Sequence, residues 1–289
     1  MCAVARRKPG NAVIHSVKCV RELSENERRL VSATLLRCPV PLQLHAVSRS
    51  SSTFSATCAR ASSAQSAGRL WFWRIPRNQG SYEMQCQGCG TMQRQRRTIL
   101  FLRQTGLGDS VSPVRVLHLA PDAPIQAELQ NMPNVETVTG DLLTGDVDIT
   151  LDVTAMDLPD ESFDVIICSH VLEHVLDDRA AMSEMRRVLK SDGWALINVP
   201  SDPNRAASFE DATITSAEDR LAAFGQEDHV RIYSHGDLLQ RFADAGFDVQ
   251  VDPLLVSTEE RRRYVLSGDG SWEHGYFCKK SNRTAAPAD

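Results

Sequence analysis

The 289-residue chain has no run approaching the roughly 18 consecutive apolar residues that span a bilayer, and its first twenty residues hold no continuous apolar segment of the secretory kind. A soluble, cytoplasmic protein is the expectation. A disulfide-stapled miniprotein is excluded too. The eight cysteines, Cys2, Cys19, Cys38, Cys58, Cys86, Cys89, Cys168 and Cys278, form no dense framework, as in a reducing compartment where thiols stay free. Acidic residues are missing between Arg28 and Tyr82, where residues 48–66 hold eight serines and hardly any hydrophobic periodicity. Such a stretch cannot offset its chain entropy by burial, so residues 1–82 are expected to form a poorly ordered leader. Their Arg-rich, Ser-rich make-up also resembles a transit peptide, the alternative reading, which would direct the chain to a mitochondrion or plastid.

A net charge of −5 conceals an asymmetry. Residues 1–82 carry 11 Arg and 2 Lys against 3 Glu, whereas residues 83–289 carry 19 basic and 34 acidic groups. The acidic body argues against a nucleic-acid groove, which needs a concentrated positive face to release counterions. A small, uncharged or cationic ligand is the expected partner, with neither nucleic acid nor membrane; the oligomeric state stays open.

Between the leader and the body, residues 83–109 read as a degenerate zinc-ribbon-like segment followed by a helix. Cys86-Gln-Gly-Cys89 is half of such a ribbon, but no second pair stands at the required spacing, so no metal site is assigned and Cys86 and Cys89 stay weak candidates. Thr98–Leu102 reads as a helix against a sheet. From residue 110 to 280, β-branched runs alternate with helical periodicity, the signature of an α/β, Rossmann-like, doubly wound and mostly parallel sheet, here of seven strands. Strands are expected at 114–119, 135–139, 148–153, 163–168, 194–199, 247–251 and 276–279. The helix after the fourth strand has Asp177 and Asp178 at its N-terminus, buries Ala181, Met185 and Val188, and ends at Lys190 and Gly193. Ser234 is the expected cap of a helix that Gly246 stops. Residues 281–289 read as a disordered tail.

Ligands of an open parallel sheet bind outside the carboxyl ends of the strands. Ala120-Pro121-Asp122 follows the first strand, Asp141 the second, Asp152-Val153 the third and Ser169-His170 the fourth. Acids at three strand ends suit a ligand bearing an adenosine and a positive charge, and suit a pyrophosphate poorly. No G-x-G-x-x-G follows the first strand, which discounts a nicotinamide-dependent oxidoreductase. Asp141 and Asp152 could otherwise be ordinary solvated loop carboxylates.

The stretch LDVTAMDLPDESFDVIICSHVLEHVLDDRAAMSEMRRVLKSDGWALINVP, residues 151–200, closely resembles the central block of class I S-adenosylmethionine-dependent methyltransferases of the small-molecule, type 11 kind. FGQEDHVRIYSHGDLLQRFADAGFDV, residues 224–249, is similar to a bacterial-type subgroup whose first-strand motif reads like the LHLAPD of residues 117–122. The resemblance implies S-adenosylmethionine as cofactor and a small-molecule methyl acceptor. It places Asp141 on the ribose, Asp152 on the adenine amino group and Val153 beside the ring. Ser169 and His170 then line the pocket near the methionine portion. The family at large has a glycine-rich turn after the first strand; Ala120, Pro121 and Asp122 occupy that turn here, Leu119 and Ala120 lying against the cofactor and Asp122 able to pair with its α-amino group. This altered turn motivates the alternative of a catalytically silent S-adenosylmethionine-fold protein that binds a partner.

No general base is identified. Residues 225–233 are expected to fold over the cofactor's reactive end, which makes His229 and Arg231, with His170, the candidate acceptor-side residues; the alternative for Arg231 is an ion pair with Glu227 or Asp228 that pins the loop. His170 and His174 stand at i, i+4, a metal-ligand spacing on a helix, but no third ligand is recognisable. Glu173 and His174 are expected instead to fix the start of the helix by hydrogen bonds.

Overall fold

The computed structural model describes residues 90–142, 147–264, 266 and 273–281, together with four short strands that precede them. The chain divides into residues 1–50 and 51–289. In the first unit β1 (Ala3–Ala5) pairs antiparallel with β2 (Val17–Cys19). In the second, β3 (Phe72–Pro76) and β4 (Tyr82–Cys86) form an antiparallel hairpin that joins residues on both sides of the division expected at residue 82. The rest of the expected leader, Cys89, and residues 282–289 of the tail lie outside the described residues.

The body then runs α1 (Gln93–Gln104), β5 (Val114–Leu119), α2 (Ala123–Gln130), β6 (Val135–Asp141), β7 (Ile149–Thr150), β8 (Phe163–Ser169), α3 (Asp178–Val188) and β9 (Leu189–Asp202). It continues through β10 (Phe209–Glu210), α4 (Ala217–Phe224), β11 (Arg231–Ser234), α5 (His235–Asp244), β12 (Phe247–Val251), α6 (Thr258–Arg263) and β13 (Glu273–Lys280). Seven strands lie in the order β7-β6-β5-β8-β9-β13-β12, and only β13 runs against the rest. This is the doubly wound, mostly parallel sheet expected. Two strands were not foreseen: β11 pairs in parallel with Ser201 and Asp202 at the end of β9, and β10 pairs antiparallel with β11, so the sheet holds nine strands. The third expected strand, 148–153, is only the two residues of β7.

Successive side chains of a strand face opposite ways, and the two faces carry different cores. Val116, Val165 and Ile167 pack on Ile99 and Leu102 of α1 and on Ile125 and Leu129 of α2. Leu117, Ile166 and Cys168 face Met182, Met185 and Val188 of α3 and Leu238 and Phe242 of α5. α1 is further seated by Phe101, edge-on to Trp194 at 5.8 Å and to Phe277 at 5.5 Å.

Two expected helix signals work otherwise. α3 ends at Val188, so Lys190 and Gly193 lie in β9. A Cβ on Gly193 would stand 2.8 Å from the Asp164 carbonyl oxygen, so this glycine serves a close strand-to-strand approach. Ser234 precedes α5 without making a side-chain cap bond.

Asp177 caps α3 by accepting from Ala180 N–H at 2.9 Å, but Asp178 is buried. Its carboxylate accepts from the Tyr233 hydroxyl at 2.6 Å and from Arg241 at 2.8 Å. Arg241 also reaches Glu210 at 2.8 Å, and Arg231 holds the other Glu210 oxygen at 2.8 Å. Chiefly through the Arg241 hydrogen bond, the Glu210 carboxyl is held down to about 2. Replacing Arg241 by Met leaves Asp178 charged and underpaired in the interior, and should cost about 3–5 kcal/mol in urea denaturation. A loss below about 1 kcal/mol would place the network in solvent-like surroundings.

Candidate functional site

Three residues immediately after parallel strands take left-handed backbone: Ala120 after β5 (φ 45°), His170 after β8 (φ 56°) and Asp252 after β12 (φ 48°). None is glycine, and such strain persists only where the surroundings over-determine it. Two of them, His170 and Asp252, line a half-open pocket whose empty space, including the solvent at its mouth, is about 490 Å³. α1 contributes Arg94, Arg97, Thr98 and Phe101 to it, β9 contributes Leu196, Asn198 and Val199, and β13 contributes His274 and Gly275. Because β13 runs antiparallel, its first residues arrive at the carboxyl ends of the other strands.

The turn after β5 takes a left-handed path at Ala120 without a glycine. Leu119 is buried, and the Ala120 N–H donates to the Gly140 carbonyl at 2.9 Å. Asp122 accepts from Gln95 of α1 at 2.8 Å, while Gln95 also accepts from its own helix's Met92 N–H at 2.9 Å. His118 is wholly buried in β5 against Gln126 at 2.9 Å, and burial holds its imidazole below the usual value.

Asp141 ends β6, half-buried, with its carbonyl accepting from Leu151 N–H at 3.0 Å. Asp152 is exposed, and the N–H and hydroxyl of Thr154, at 2.8 and 2.7 Å, hold its carboxylate below the usual range. Val153 packs on the core beside it. Ser169 is buried and accepts from Asn198 at 2.9 Å; Asn198 also accepts, through its carbonyl, from His170 N–H at 2.8 Å. His170 meets Glu173 at 2.9 Å through Nδ1.

Of the acceptor-side candidates, only His170 lies on the pocket. Arg231 is corrected to a structural role: it donates to the carbonyls of Leu172 (2.9 Å), Val175 and Leu176 (2.8 Å) as well as to Glu210. The expected partners Glu227 and Asp228 are not the groups it binds. His229 is buried, its ring edge-on to His174 with centroids 4.7 Å apart, and burial lowers its basicity. Residues 171–177 form turns rather than the start of a helix. Cys86 is buried, and Cys89 lies outside the described residues.

Sequence reasoning missed Asp252 and His274. Their side chains meet at 2.8 Å (Oδ2 to Nδ1), while Arg97 reaches Asp252 at 2.5 Å and the Gly275 N–H donates to it at 3.0 Å. Burial opposes the Asp252 charge, yet His274 and Arg97 together hold the carboxyl below its usual value. An imidazole oriented by a carboxylate at the rim of a pocket is suited to proton transfer.

The strand order with one antiparallel member is that of a Rossmann-like, mostly parallel α/β sheet, with acids after its second and third parallel strands. Residues 125–197 match the family described as a methyltransferase domain. The chain is similar to two proteins called ubiquinone biosynthesis O-methyltransferase. The one from Paracidovorax citrulli is 27% identical over 136 residues, 46% of this chain and 56% of that protein. The one from Leptothrix cholodnii is 26% identical over 120 residues, 41% of this chain and 50% of that protein. The chain thus spans about half the length of the curated relatives it matches. The crystal structure of YcgJ from Bacillus subtilis superposes with a TM-score of 0.44 at 19% identity, over 65% of this chain and 99% of that one.

Two predictions follow from the turn after β5. Left-handed alanine is strained, so Ala120→Gly should leave stability unchanged or raise it by up to about 1 kcal/mol, whereas Ala120→Val should lower it by about 1–3 kcal/mol, both read from denaturant midpoints. His118, neutral when folded, takes up a proton on unfolding below its ordinary value of 6.5. Its contribution to stability is therefore complete above that value and is lost as the pH falls below it. The drop in urea midpoint between about pH 7.5 and 5.5 should shrink in His118→Gln; an unchanged drop would assign it to other groups.

Proposed function

We propose that the chain transfers a methyl group from S-adenosylmethionine to an oxygen of a small polar acceptor seated in the pocket beneath α1. One observation carries this reading: Asp141, Asp152 and Ser169 occupy the same sheet edge as a pocket that brings His170, Asp252 and His274 together. The donor set fits the cofactor. Asp141 would take the ribose hydroxyls, Asp152 the adenine amino group with Val153 beside the ring, and Ser169 and His170 the methionine portion. Leu119 and Ala120 would pass their backbone close to it. Asp122, whose Oδ1 accepts from Gln95, would take the α-amino group on Oδ2.

When bound, S-adenosylmethionine supplies a methyl group already activated by its sulfonium, so the residues need mainly to align the acceptor and remove its proton. His274, with Nδ1 turned to Asp252, leaves Nε2 for that proton. His274 Nε2 would take the acceptor's proton as the acceptor oxygen receives the methyl group from the sulfonium, which would be left as an uncharged thioether. Asp252, held by Arg97, stabilises the resulting imidazolium. An oxygen nucleophile accords with the O-methyltransferase names of the two curated relatives.

Titration calorimetry on the full chain should show S-adenosylhomocysteine binding, weakened by about 1.5–3 kcal/mol in Asp141→Ala. Once hydroxyl compounds have been screened for an acceptor, His274→Ala should lower kcat by about 100-fold or more and leave S-adenosylhomocysteine affinity intact. Binding without turnover on any acceptor would support the silent binding protein instead. Absence of binding would overturn both readings.

A further inference from the structure

The segment leaving β8 and the residues entering β11 meet at a cluster of donors that methyl transfer does not use. Glu173, His174 and His229 each offer one ligand atom, and these atoms lie within 4.8 Å of one another, the one such group among the described residues. Backbone geometry brings them together: Val230 N–H donates to the Glu173 carbonyl at 2.9 Å, and Arg231 clasps the carbonyls on either side. His229 supplies the third donor that the spacing of His170 and His174 lacked. His170 is not part of the group; it turns its Nδ1 to Glu173 Oε1.

A second observation points to a missing ligand. Glu173 is 1% exposed, and its other oxygen, Oε2, is buried with no hydrogen-bond partner. A carboxylate oxygen withdrawn from water and offered no proton donor is unfavourable unless something positive meets it. Two imidazoles, those of His174 and His229, each bring a ring nitrogen within 4.8 Å of a Glu173 carboxylate oxygen. His174 places its Nδ1 3.3 Å from the Asp228 carboxylate, the outer-sphere arrangement in which a metal-bound imidazole donates its other N–H to an acid.

We propose that the chain binds one divalent transition-metal ion between Glu173, His174 and His229. Two imidazoles and one carboxylate form a borderline nitrogen and oxygen set that suits zinc, and suits calcium or magnesium poorly. Around a tetrahedral zinc with bonds near 2.0–2.1 Å, ligand atoms stand roughly 3.4 Å apart, so the group closes by a modest rotation of the partly exposed His174 ring. Three protein donors leave a fourth position for water or a ligand oxygen. Since His170 hydrogen-bonds Glu173 and lines the acceptor pocket, an ion held by Glu173 would fix that ring at the pocket's rim.

The site is tested on the full chain by equilibrium dialysis against zinc chloride, with metal content read by atomic emission and melting temperature recorded in parallel. Cys86→Ser/Cys89→Ser serves as the background, so that thiols do not supply the signal. One zinc per chain and a raised melting temperature are expected. His174→Ala and His229→Gln should each weaken zinc binding by roughly tenfold or more, and both should abolish the zinc-dependent rise in melting temperature. His174 is partly exposed, so its removal tests the site even where His229→Gln fails to fold. No stoichiometric binding of zinc, manganese or nickel would overturn the proposal, as would zinc binding that survives His174→Ala. Because neither readout involves methyl transfer, the site can fail or hold whatever the outcome of the cofactor titration.

Discussion

The grip of Arg231 on the chain leaving β8 is the interaction on which the rest of the site depends. Residues 171–177 form turns rather than a helix, so the carbonyls of Leu172, Val175 and Leu176 have no helical partner. Buried carbonyls need donors, and a guanidinium presents five in one rigid fork. Arg231 satisfies all three carbonyls and keeps an edge for Glu210. The β8 exit, carrying His170, Glu173 and His174, is thereby fixed to the start of β11, next to His229. Tyr233, two residues along, continues the same contact to Asp178 and Arg241. A lysine could not replace this arginine, because a single ammonium cannot serve carbonyls spread along a turn.

Strain concentrates where chemistry is expected. Ala120, His170 and Asp252 each take left-handed backbone one residue beyond a strand, which turns the chain sharply away from the sheet edge and opens the cleft. At Ala120 the left-handed turn forms without a glycine, so a methyl side chain is carried there at a conformational cost.

Much of the architecture was legible because it is local. The run Val114–Leu119 is a strand over the expected residues, and the buried run ending at Cys168 extends by only one residue. Edges and caps were harder. The third strand shrinks to two residues at the sheet margin, where a single neighbour supports it. Gly193 read as a helix stop, but its lack of a side chain answers the closeness of Asp164. Arg231 read as a substrate group because a cation in a loop shows nothing of the carbonyls that surround it. Asp252 and His274 carry no pattern: twenty-one residues separate them, and only the pairing of β12 with β13 brings them into contact. The acids at the strand ends were visible because topology, rather than side-chain packing, determines where they lie.

The reversed direction of β13 governs the order in which the domain can be finished. This strand lies between β9 and β12, both made before it, and pairs with each along most of its length. During synthesis β12 has no place in the sheet until residues 273–280 emerge, and the exposed edge of β9 stays open to wrong partners. His274 and Gly275 arrive with that final insertion, so the wall of the pocket and the closing of the sheet are one event. A ribosome-bound chain cut short before β13 would hold the acids at the ends of β6 and β7 but no acceptor wall, and would depend on the cell to shield its unpaired edge.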